Sequence, residues 1–132
     1  MSDPKKTTVI LVRGLFGMIY SRGMDRLAAK LRALGCEAQV WNHSVLFFAW
    51  FTNAGNIAAA ARRAGASGRI VVLVGHSFGA NTIVIAARQI GLRIALMACV
   101  DPAAQFDLTV PPNVIKALGF RQRIGGIGRG KL

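Results

Sequence analysis

Arg69 to Gln89 reads RIVVLVGHSFGANTIVIAARQ, and this stretch decides the fold. Ile70 to Val74 is an unbroken, β-branched-rich run, the pattern of a strand buried on both faces of a parallel sheet. From Phe78 onward Ile83, Ala86, Ala87 and Ile90 recur at helical spacing, and Gly91 supplies a stop. Between the two runs, Gly75-His76-Ser77-Phe78-Gly79 must turn from strand to helix. So sharp a turn leaves no room for a Cβ on either side of the serine, which accounts for Gly75 and Gly79. It also lifts the Ser77 hydroxyl above the sheet at the positive end of a helix, where the N–H of Phe78 faces any developing negative charge. A tight βα turn with a small residue at its tip satisfies the same pattern without chemistry.

Working outward, Thr7 to Arg13 (TTVILVR) reads as another buried parallel strand, with Gly14-Leu15-Phe16-Gly17 as the loop after it. Arg13 at the strand end is either a structural cation or a contact for an anionic substrate group. Ser21 to Leu34 carries Met24, Leu27, Ala28, Leu31 and Leu34 as an apolar stripe with basic residues opposite, a sheet-covering helix closed by Gly35. Cys36 to Asn42 alternates like an edge strand, and His43 lies just past its C-terminal end, the binding edge of an open parallel sheet. His43 is thus either a loop histidine with local hydrogen bonds or a functional group on that edge. Val45 to Thr52 (VLFFAWFT) holds three of the seven phenylalanines and one of the two tryptophans, suited to core packing or to an acyl groove. Asn53 to Ala64 reads as a helix of small residues. Arg93 to Val100 is a further buried strand, and Asp101 at its end either caps the turn before Pro102 or brings a carboxylate to the binding edge.

At 132 residues, with 53% hydrophobic residues and a mean hydropathy of +0.44, the chain is one ordered domain. The pattern predicts an α/β fold, a three-layer α/β/α sandwich around a mainly parallel sheet of about four strands. Residues 1–110 form the core; residues 111–132 make a helical start followed by a basic Gly/Arg-rich tail that does not extend the sheet. The net charge of +12 comes from 17 dispersed basic residues, clustered only at Lys116, Arg121, Arg123, Arg129 and Lys131, and no motif points to specific nucleic-acid recognition. The longest apolar run, Val45 to Phe51, is far below the roughly 20 residues of a membrane-spanning helix, and Arg13 interrupts the N-terminal run, so the expected compartment is the cytoplasm. Cys36 and Cys99 have neither CxxC spacing nor histidine partners at metal spacing, so buried thiols are expected, with no metal and no cofactor.

Val-Gly-His-Ser-Phe-Gly-Ala, set between strand and helix, resembles the serine signature of the α/β-hydrolase superfamily, in particular its lipases, esterases and thioesterases. The resemblance spans residues 7 to 103. It implies a hydrolase acting on a small-molecule carboxylic ester or thioester, with Ser77 as nucleophile on a nucleophile elbow. Phe78 N–H and Leu15 N–H would line the oxyanion hole, with Gly14 allowing close approach and Arg13 where the family has histidine. Val-Asp-Pro-Ala implies Asp101 as the acid, with Asp107 as the substitute. It also implies the sheet order second, first, third, fourth strand, leaving the fourth as an edge for the tail or a second copy to cover. The family's histidine follows the acid, and Pro102 to Leu132 contains none. His76 occupies the variable position of the motif and, beside the nucleophile on a strained turn, is not expected to swing back onto Ser77, so His43 is the remaining candidate base. The pattern therefore predicts a truncated or frame-altered hydrolase, the alternative being a catalytically silent binding module that keeps the pocket.

Overall fold

The computed structural model describes residues 3–14, 22–43, 53–102 and 109–121. After a 3-10 turn at Pro4–Lys6, five strands and three α-helices follow: β1 (Thr7–Arg13), α1 (Arg22–Ala33), β2 (Glu37–Asn42), α2 (Ala54–Ala66), β3 (Ile70–His76), α3 (Phe78–Ile90), β4 (Leu96–Val100) and β5 (Ala117–Phe120). The strands form one sheet in the order β2-β1-β3-β4-β5, and every neighbouring pair is parallel.

Strand alternation explains the layers. In β1, Ile10 and Val12 point to one face, where they join Ile57, Ala61, Leu73, Ile83, Ala87 and Met97 under α2 and α3. Val9 and Leu11 point to the other, where they meet Met24, Ala28 and Ala38 under α1. Thr7 to Val12 are all buried, and the centre of the strand, Val9 to Val12, is wholly apolar because β1 has no solvent side. The result is the three-layer α/β/α sandwich expected from the pattern, with the expected order of its first four strands.

The small side chains of α2 let the sandwich close tightly: Ala54, Ala58, Ala60, Ala61 and Ala64 are all buried. At the N-terminal end of the sheet Arg69 joins three strands, donating to Thr8 Oγ1 (2.6 Å) and the Thr7 carbonyl (3.0 Å) and lying 3.6 Å from the Glu37 carboxylate.

The C-terminal segment differs from expectation. Instead of a helical start with no strand, Ala117–Phe120 adds a fifth parallel strand to β4, continued upstream by an isolated bridge between Ile94 and Val114. Local pattern hid this strand because its four residues are exposed on both faces, so no buried alternation marks it. What fixes it is pairing: Met97 N–H donates to the Lys116 carbonyl and Asp101 N–H to the Phe120 carbonyl, while Asn113 Nδ2 caps the end of α3 at the Ala87 and Leu92 carbonyls. The C-terminal segment thus covers the β4 edge, as anticipated, but as sheet. Residues 122–132 lie outside the described residues, as do Val45–Thr52.

Candidate functional site at the β3–α3 corner

The chain turns from β3 into α3 at Ser77, whose φ of 57° and ψ of −123° fall in territory that favours glycine. Packing explains why a serine is forced there. A Cβ on Gly75 would strike the Gly79 carbonyl and come within 2.6 Å of Ala80 N, because the helix folds directly back over the strand. A Cβ on Gly79 would strike the carbonyl of Val12, because the first turn of α3 lies on the backbone of β1. One on Gly14 would sit 2.9 Å from Ser77 Cβ and 3.3 Å from Ser77 Oγ. Three glycines thus bring two strand ends and a helix start against one hydroxyl.

Topology puts this corner where ligands bind. The order β2-β1-β3 reverses the direction of chain progression between β1 and β3, and the crevice beyond the carboxyl ends of the strands opens at that reversal. Gly14 follows β1 and Ser77 follows β3, so they flank it. Ser77 is half-buried, its N–H donates to the Val100 carbonyl (2.9 Å), and its side chain makes no capping bond to α3. Phe78 is the first helical residue, and the first N–H groups of a helix point out of its N-terminal end.

His43 reaches the same corner from β2. Its backbone is held three times: its N–H donates to the Arg13 carbonyl (2.9 Å), and its carbonyl accepts from Asn53 N–H (2.8 Å) and Thr82 Oγ1 (3.4 Å). The imidazole is only 4% exposed and stacks on the Phe78 ring with centroids 5.6 Å apart, yet neither ring nitrogen has a hydrogen-bond partner. Burial lowers its pKa below the ordinary 6.5, and the Gly14 backbone beside the ring opposes this more weakly, at a geometry short of a hydrogen bond.

Asp101 follows β4 on the same edge, with a φ of 45° that aspartate tolerates better than most residues. It adjoins the corner through the Ser77–Val100 bond but stands three strand intervals, about 14 Å, from the end of β2. The structure therefore brings Phe78, the residue after Ser77, against His43, and Ser77 beside the Asp101 segment, but not His43 to Asp101. No hydrogen bond joins the His43 imidazole to Ser77 Oγ or to Asp101. Leu15 and Asp107 lie outside the described residues.

One further alternative resolves. Arg13 is a structural cation, donating Nε–H to Asn42 Oδ1 (3.1 Å) and pairing with the Asp25 carboxylate of α1 at 3.2 Å. Burial pushes the Cys99 thiol up to about 11. No three His, Cys, Asp or Glu side chains among the described residues cluster as a metal site, and no described helix is long and apolar enough to cross a membrane.

Sequence reasoning missed Asn81 and Thr82. Thr82 Oγ1 fastens α3 to the β2 end by sharing its one proton between the Phe78 (3.0 Å) and His43 (3.4 Å) carbonyls. Asn81 is 6% exposed with neither amide atom partnered. Two adjacent polar residues opening an otherwise apolar helix were the available signal.

No protein-family model matches this chain, and neither does any curated protein or solved structure.

Proposed function

We propose that this chain is a serine hydrolase of the α/β-hydrolase type that cleaves a carboxylic ester or thioester. The observation that carries the reading is the left-handed backbone of Ser77, a conformation unfavourable to any L-residue, held by three glycine contacts at the reversal point of a parallel sheet. Strain of this kind persists where a side chain has to be displayed.

In the proposed reaction Ser77 Oγ attacks the carbonyl carbon while its proton passes to the neutral His43 imidazole. The N–H of Phe78, and by resemblance that of Leu15, receives the oxyanion. Collapse breaks the bond to the alcohol or thiol, which takes the proton from His43, and water hydrolyses the acyl-serine with His43 again as base. For this the ring has to leave its stack on Phe78 and turn towards Ser77. Asp101 flanks the corner from the β4 side, too far from β2 to orient His43 directly.

Turnover of p-nitrophenyl butyrate tests the reading. Ser77→Ala reduces it to the buffer rate, and His43→Ala lowers kcat by about 100-fold or more, the usual scale of general-base catalysis. Insensitivity to Ser77→Ala contradicts the hydrolase reading; insensitivity to His43→Ala alone removes His43 as base. A second reading, a binding module that keeps the pocket without turnover, draws on the lack of any hydrogen bond between the His43 imidazole and Ser77 Oγ; it predicts ester binding with no hydrolysis. The cytoplasm is proposed as the site of action.

A further inference from the structure

Among the described residues, the buried side-chain nitrogen and oxygen atoms with no hydrogen-bond partner belong to two residues, His43 and Asn81. Both adjoin the β3–α3 corner. Buried polar atoms are paired in the great majority of proteins, because an unmade hydrogen bond forfeits the water it displaced. In the proposed reaction His43 finds its partner at Ser77, which leaves the buried Asn81 amide calling for a ligand that pairs it.

Helix geometry places Asn81 one turn beyond Ser77 on the same side of α3, and helical side chains lean towards the N-terminus, here towards the serine. The His43 ring stacks on Phe78, in the first turn of the same helix. Ile85 and Arg88, further along the same side, are exposed, which marks it as the side turned from the sheet. An asparagine 6% exposed on that side is neither packing against the sheet nor meeting water. Its amide offers donors and an acceptor in one plane. It carries no charge, so the complementary group is uncharged and both donates and accepts.

We propose that Asn81 forms a polar subsite one helical turn beyond Ser77 that binds an amide group in the acyl part of the substrate, so that the preferred ester or thioester carries an amide a few bonds from its carbonyl. The placement of that group in an acyl chain rests on the hydrolase reading; the subsite itself does not. Asn81 is a specificity residue, and the reacting atoms lie at Ser77.

The test compares N-acetylglycine methyl ester with methyl pentanoate, which matches its acyl chain in length but has no amide. Binding is followed by NMR titration in the Ser77→Ala background, where no turnover enters. The amide ester binds about tenfold more tightly, the value of one well-made hydrogen bond network, and Asn81→Leu abolishes the difference. Because Asn81→Leu removes an orphaned amide, its Tm is unchanged or higher; a clearly lower Tm shows a structural amide and overturns the proposal. Equal affinities, binding of neither ester, or a preference that survives Asn81→Leu overturn it too. Absence of hydrolysis with the preference intact would contradict the hydrolase reading alone.

Discussion

Ser77 holds a backbone conformation that costs a non-glycine residue about 1–3 kcal/mol. Ser77→Gly should therefore raise stability by about 1 kcal/mol in urea denaturation while abolishing esterase activity, whereas Ser77→Ala keeps its Cβ and gains no such relief. A Ser77→Gly protein no more stable than Ser77→Ala would show that the corner is unstrained. His43 gives a pH signature. Its folded pKa is depressed, so its neutral form supports the fold fully above the unfolded value of 6.5, and that support is lost as pH falls from 6.5 towards the lower folded value. Urea midpoints at pH 7 and pH 5 should differ more for the native chain than for His43→Phe; equal differences would show that the buried ring is not the cause. At this scale the sequence was informative where sterics dictate a residue. Gly75 and Gly79 announced the corner because no other residue fits, while Asn81 stayed unseen because its importance lies in the lack of a partner, which only packing reveals.

The elements that position the corner depend on close backbone approach. Gly79 lies on the carbonyl of Val12, so Gly79→Ala forces α3 off β1, with an expected loss of about 3 kcal/mol or more, whereas Gly23 in α1 has nothing within 4 Å of its missing Cβ and Gly23→Ala should stabilise by about 0.5 kcal/mol. Chemical denaturation of the two variants checks this, and similar effects would contradict the described contact between α3 and β1. Strands β1 and β3 were legible as elements because burial on both faces makes them continuous apolar runs, and α1 because its stripe has helical period. β4 is shorter than its apolar run, since Ile94 pairs only in an isolated bridge before Leu96. β5 was illegible, because an edge strand with four exposed residues carries no periodic burial to read.

For the whole molecule, the C-terminal segment decides where the sheet ends. β5 occupies the edge of β4, and an uncovered parallel strand templates pairing with other chains. Truncation after Thr109 should expose that edge and shift the protein to larger species in size-exclusion chromatography; a truncated chain that stays monomeric at the same concentration would show that β5 is not protecting it. The sheet order and its reversal point were legible through the resemblance carried by seven residues around Ser77, whereas the base was not, since the chain has no histidine after Asp101 and His43 gains its place only through the fold. The central claim is that the corner displays Ser77 as a reactive hydroxyl, and labelling with a fluorophosphonate followed by peptide mass spectrometry tests it most directly. The account predicts a single phosphonylated residue, Ser77, with labelling lost in Ser77→Ala; an unlabelled chain, or a label on another residue that persists in Ser77→Ala, would contradict it.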